Sequence, residues 1–153
     1  MKRVLSAALP IIWLYVVSAE WVGAQSPNCP KLAGNYMLQG EDGQVHISIS
    51  QDGCSRITII RNTGYLGKIT QEKHSFRLDG SSQPDSEWFG DGREKYQARP
   101  RFTPTSLRID LTAQNGTMYT MILSLTPNGD LIEDFLAEGK RIGGGPTIAK
   151  RQK

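Results

Sequence analysis

Val45-His46-Ile47-Ser48-Ile49-Ser50, then Asp52-Gly53, then Arg56-Ile57-Thr58-Ile59 is the stretch that decides the fold of this chain. Apolar and polar side chains alternate with period two on either side of a dipeptide that tolerates positive φ. Successive strand side chains point to opposite faces, so this pattern makes two half-buried strands joined by a tight turn. The pattern returns further on. Leu107, Ile109 and Leu111 alternate with Arg108, Asp110 and Thr112, and Tyr119, Met121, Leu123 and Leu125 alternate with Thr120, Ile122 and Ser124. Asn115-Gly116 separates these two runs, and Asp42-Gly43, Asp79-Gly80, Asp91-Gly92 and Asn128-Gly129 punctuate the rest.

The spacing predicts strands near 32–38, 44–50, 55–61, 65–71, 74–79, 93–99, 106–113, 117–125 and 130–137, with a short helix as the alternative for the last. Proline has no N–H, so Pro100 and Pro104 are expected to exclude a ladder through 100–105. Short strands in meander order imply an all-β fold: a small up-and-down antiparallel β-barrel of about eight strands. Its inward residues are mostly Ile, Leu, Met and Tyr, which leave little room and favour a shallow mouth or an outer-surface site over a deep cavity.

Lys2 and Arg3 precede an apolar run from Val4 to Val17, and Val22-Gly23-Ala24 follows. This is the layout of a secretory signal peptide, so 1–24 is expected to be removed and the product to be secreted or periplasmic. The run of about 14 residues is shorter than the roughly 20 a membrane-spanning helix needs, and no transmembrane segment is expected after cleavage. Residues 25–139 then form the barrel domain, and 140–153, rich in glycine and basic charge, reads as a flexible basic tail.

Between Gln25 and Gly139 there are 11 basic and 14 acidic residues, whereas 140–153 holds five basic residues and no acidic ones. The formal charge of +3 is therefore made outside the domain, which argues against a nucleic-acid partner. Two cysteines in an exported chain are expected to pair. A Cys29–Cys54 bond closes a loop of about 26 residues and contributes roughly 3 kcal/mol in the chain-entropy model. A reactive thiol pair or metal site would need CxxC spacing, which is missing. To make the bond, 28–31 must cross one end of the barrel, plugging it and leaving any opening at the other.

Leu32-Ala33-Gly34-Asn35-Tyr36 follows the first cysteine closely. Gly-x-aromatic at the start of strand one resembles the signature of the lipocalins and the wider calycin barrels. The resemblance implies that Gly34 permits close backbone approach and that Tyr36 plugs the barrel floor. No late arginine stands out in the sequence to cap that aromatic. The longer string Leu32-x-Gly34-x-Tyr36-x-Leu38-x-Gly40 is also similar to periplasmic barrels that inhibit secreted metalloproteases, whose free N-terminal segment enters the protease cleft. Here Cys29 ties that segment down.

Asp79 to Tyr96 is the chemically richest stretch. It reads either as a mouth loop whose aromatics grip an apolar ligand or as a hairpin with Trp88 and Phe89 packed on a neighbouring strand. The candidate ligand-binding residues are Tyr36, Trp88, Phe89 and Tyr96. A calcium site from Asp79, Asp85 and Asp91 matches no known oxygen-ligand spacing, so no metal or other cofactor is expected. His46 and His74 stand apart with no nucleophile motif beside them, although a carboxylate pair such as Asp110 with Glu133 stays open. Asn115-Gly116-Thr117 fits both a glycosylation sequon and a hairpin turn. The expectation is a non-enzymatic, exported binding protein for a small apolar or amphipathic ligand. The alternatives are a protein-binding module, such as a secreted-hydrolase inhibitor, and a structural envelope component.

Overall fold

A computed structural model describes residues 28–40, 43–65, 67–85 and 95–153. The expected signal peptide lies outside the described residues, as do Trp88 and Phe89. Eleven strands are described: β1 (Gly34–Gln39), β2 (Gly43–Asp52), β3 (Arg56–Tyr65), β4 (Lys68–Arg77), β5 (Gln83–Asp85), β6 (Tyr96–Phe102), β7 (Ser106–Ala113), β8 (Met118–Leu125), β9 (Leu131–Ala137), β10 (Lys140–Arg141) and β11 (Thr147–Arg151). No helix among the described residues is long and apolar enough to cross a membrane.

All ladders are antiparallel, and the strand order is β4-β3-β2-β1-β11-β9-β8-β7-β6-β5, with β10 also on β9. The last strand therefore pairs with the first, through Tyr36↔Arg151 and Met37↔Lys150. This rolls the meander into a nearly closed barrel with one seam, between β4 and β5. β10 and β11 lie one after the other along the same edge of β9, interrupted by a loop in which Gly143, Gly144 and Gly145 all take positive φ.

Four expectations are corrected. The barrel wall is ten strands around, not about eight. The predicted strands 65–71 and 74–79 are one strand, β4, whose inward positions Thr70, Glu72 and His74 are polar and hide its continuity. Pro100 sits inside β6, opposite Ile109, at a point where β5 has already ended at Gln83↔Ala98. With one neighbour instead of two, that strand tolerates a residue lacking an N–H. Finally, 140–153 is no flexible tail, because its backbone supplies β10 and β11 and closes the ring. Leu131–Ala137 is a strand rather than a short helix.

Strand direction sorts the two ends. Cys29, the β2–β3 turn and the β8–β9 turn share one end, here called the floor; the β1–β2, β3–β4 and β7–β8 turns share the other, the mouth. At the floor and waist the inward side chains interlock: Leu32, Ile57, Ile59, Leu107, Leu123 and Leu131 are all shielded from solvent. Interlocked packing of this kind is what makes a single truncated methyl group costly.

Candidate functional site

The floor is built first, by the segment before β1. Cys29 is bonded to Cys54, with Cα atoms 5.7 Å apart. The Gln51 side chain then staples 28–32 to β2. Its Oε1 accepts from Leu32 N at 3.0 Å, and its Nε2 donates to Pro30 O at 3.1 Å and Gly53 O at 2.9 Å. Leu32 is thereby driven into the core. Tyr36 is 1% exposed and turns back to donate its hydroxyl to Leu32 O at 2.8 Å.

Arg151, across the β1–β11 ladder, stacks its guanidinium 5.8 Å from the Tyr36 ring centre and donates to Ala33 O at 3.0 Å. A Cβ added at Gly34 would stand 3.0 Å from the Tyr36 hydroxyl and 3.2 Å from Arg151 Nη2, so glycine is needed there for close packing. Burial pushes the Tyr36 hydroxyl pKa up, and the Arg151 charge partly offsets this. Gly34 and Tyr36 thus take the two parts the lipocalin resemblance implied. The capping arginine, missed in the sequence, comes from the segment read as a tail.

Above this plug the interior changes character. Arg61 on β3 and Glu133 on β9 both occupy inward positions, and Arg61 Nη1 donates to Glu133 Oε1 at 2.8 Å. These strands are not neighbours in the sheet, so the ion pair spans the barrel. Glu133 is 2% exposed and Arg61 16%. Glu133 Oε2 has no hydrogen-bond partner among the described residues, and Glu72 stands beside Arg61 in the β3–β4 register. Burial raises the Glu133 carboxyl pKa, with Arg61 pulling the other way. On the mouth side of this pair, the inward Leu38, Val45, Thr63, Tyr119 and Phe135 are only half-buried. A groove of about 300 Å³, lined by Leu38, Val45, Thr63 and Tyr65 among others, opens at the rim between β1, β2 and β3.

The seam is closed by side chains in place of a ladder. Gln83 accepts from Arg77 N at 3.0 Å and donates to Arg77 O at 2.7 Å, reproducing a strand pair with one carboxamide. His74, fully buried, approaches Asp85 at 3.0 Å from Nδ1. Such pairing protects edges that would otherwise be open to other chains.

Of the four expected ligand-binding residues, Tyr36 and Tyr96 are among the described ones and lie in different parts of the barrel. Tyr36 belongs to the floor plug. Tyr96 is buried at the mouth end of β6, edge-on to Tyr119 with ring centres 6.0 Å apart. Asp110 does not meet Glu133: it lies on the outer face, bonded to Arg108 at 2.8 Å and Arg101 at 3.1 Å. Asp79 accepts from Ser81 and Asp85 faces His74, so these carboxylates serve the β4–β5 connection. Asn115 accepts from Thr117 N at 2.9 Å inside the β7–β8 turn. Arg61 and Glu133 went unnoticed as a pair, because their meeting depends on the barrel's closure.

Several solved structures share this fold. A protein described as REP1-NXSQ fatty acid transporter superposes with a TM-score of 0.61 at 15% identity, covering 80% of this chain and 96% of its own. The fluorescent protein UnaG, in a point-mutant form, gives 0.60 at 14% identity, covering 79% and 96%. Secretory abundant heat soluble protein 4 from Ramazzottius varieornatus gives 0.59 at 12%, covering 80% and 95%. The fold is lipocalin-like. No protein-family model matches the sequence, and neither does any curated protein.

Proposed function

We propose that this protein is an exported, non-catalytic carrier that holds one small apolar or amphipathic ligand in the mouth half of its barrel. The observation carrying this reading is the wall above the Arg61–Glu133 pair, where the inward Leu38, Val45, Thr63, Tyr119 and Phe135 are half-buried, while Leu32, Ile57, Ile59, Leu107, Leu123 and Leu131 below it are sealed. Half-buried apolar walls with a polar base are what a small-molecule site requires. A fatty acid transporter among the structures of the same fold supports it, and the disulfide suits an oxidising compartment. Tyr65 stays exposed at the rim of the groove, where a ligand would enter.

After Ala24 the chain has one tryptophan, Trp88, which makes a convenient reporter. Titration with 1-decanol is expected to give a saturable change in its emission. Val45→Trp, which would fill the rim groove, should abolish binding of the same probe followed by calorimetry. No saturable heat or emission change with the native protein would overturn the proposal.

A further inference from the structure

The ion pair beneath the half-buried mouth-side wall carries its own chemical signature. Arg61 brings one positive charge, and two carboxylates stand with it: Glu133, which it bonds, and Glu72, its neighbour on β4. Glu133 gives one oxygen to Arg61 and keeps Oε2 buried, without a partner among the described residues. A buried acceptor left unpaired costs free energy of the order of a lost hydrogen bond, about 1–3 kcal/mol, and more when charged. A ligand that donates to it recovers that cost.

From this arrangement we infer that the ligand presents a hydrogen-bond-donating, cationic head, a primary ammonium on an apolar body, to Glu133 Oε2. The inference rests on the reading of the mouth half as the ligand site and adds the head-group class. An ammonium has three donors and no acceptor, so it can satisfy Glu133 Oε2 with a charge-assisted bond, and Glu72, across the β3–β4 register from Arg61, adds negative charge to the same half of the interior. A carboxylate head would bring a third anion to a base that holds a single guanidinium, already engaged by Glu133. The apolar body would lie against Leu38, Val45, Tyr119 and Phe135, toward the mouth.

Three probes with the same tail separate the possibilities: decylammonium, 1-decanol and decanoate, titrated by calorimetry into the full-length folded protein below their micelle-forming concentrations. Decylammonium is expected to bind about tenfold or more tightly than decanoate, with decanol between them. Glu133→Gln keeps the side-chain shape and removes the charge, and it should erase most of that preference; Glu72→Gln should erase part of it. Decanoate binding as tightly as decylammonium, or more so, would overturn the inference and leave the lumen reading standing. An ammonium preference untouched by both substitutions would also overturn it, because the head would then sit elsewhere. If none of the three probes binds, the inference and the lumen reading fail together. Should Glu133→Gln not fold, the ranking of the probes on the native protein decides alone.

Discussion

The floor and the mouth of this barrel are made from the same strands, yet they have opposite physical characters. At the floor, a disulfide, a stapling glutamine and a tyrosine–arginine stack press Leu32 into a fully packed interior. Past the Arg61–Glu133 pair the inward Leu38, Val45, Thr63, Tyr119 and Phe135 are half-buried, while Tyr96 and Ala113 stay covered, and Tyr65 stands exposed at the rim. The difference shows that alternation sets only which residues face inward. What those residues fill, and what they leave open, depends on the tier. The floor is built for stability, and the mouth is left for occupancy.

Truncations in the two halves should separate most widely. Leu123→Ala, at the sealed tier, is expected to cost about 2–5 kcal/mol in urea unfolding. Leu38→Ala, on the half-buried wall, should cost about 1 kcal/mol or less. Equal losses would erase the distinction. Replacing Cys29 and Cys54 together by serine should cost about 3 kcal/mol and shift the urea midpoint accordingly.

The seam comes next in size. Gln83→Ala leaves both backbone groups of Arg77 without their side-chain partner and should cost about 1–3 kcal/mol. Faster amide exchange at Arg77, with no change at Leu123, would localise the effect. Arg151→Met removes the charge over the Tyr36 ring and the bond to Ala33, for a loss of about 1–2 kcal/mol by thermal unfolding. Arg151→Lys should recover only part of this, since an ammonium cannot stack as a guanidinium does.

The smallest effect is a pH slope. Burial raises the Glu133 carboxyl pKa in the folded barrel. The unfolded chain therefore releases this proton first as pH climbs past about 4.3, and the folded state binds more protons through that window. Stability from this group is present below the unfolded pKa and is lost as pH rises through the folded one. The Tm of the native protein minus that of Glu133→Gln should accordingly fall with increasing pH. A rising difference would mean that the Arg61 bond outweighs burial.

The fold class was legible because alternation at Val45–Ser50 and Leu107–Leu125 reports directly on a sheet with one covered face. The disulfide was legible because the chain has only two cysteines to pair, and the floor plug because Gly34 and Tyr36 act within a few residues of Leu32. β4 was split because its inward Thr70, Glu72 and His74 are polar, and an apolar pattern cannot reveal a wall that lines a polar seam. The last two strands were hidden by Gly143–Pro146, whose composition marks flexibility when read locally. Pairing of Tyr36 with Arg151 overrides that local signal, and only ring closure brings them together. Arg61 and Glu133 are likewise 72 residues apart in sequence. No local spacing rule reaches that far.

The most direct test of the two-tier interior is a methyl-resolved NMR titration of the full-length protein with 1-decanol. Saturable shifts are expected at Leu38 and Val45, while the methyls of Ile57 and Leu123 stay in place. Shifts confined to the floor methyls, or no saturable shift anywhere, would contradict the account.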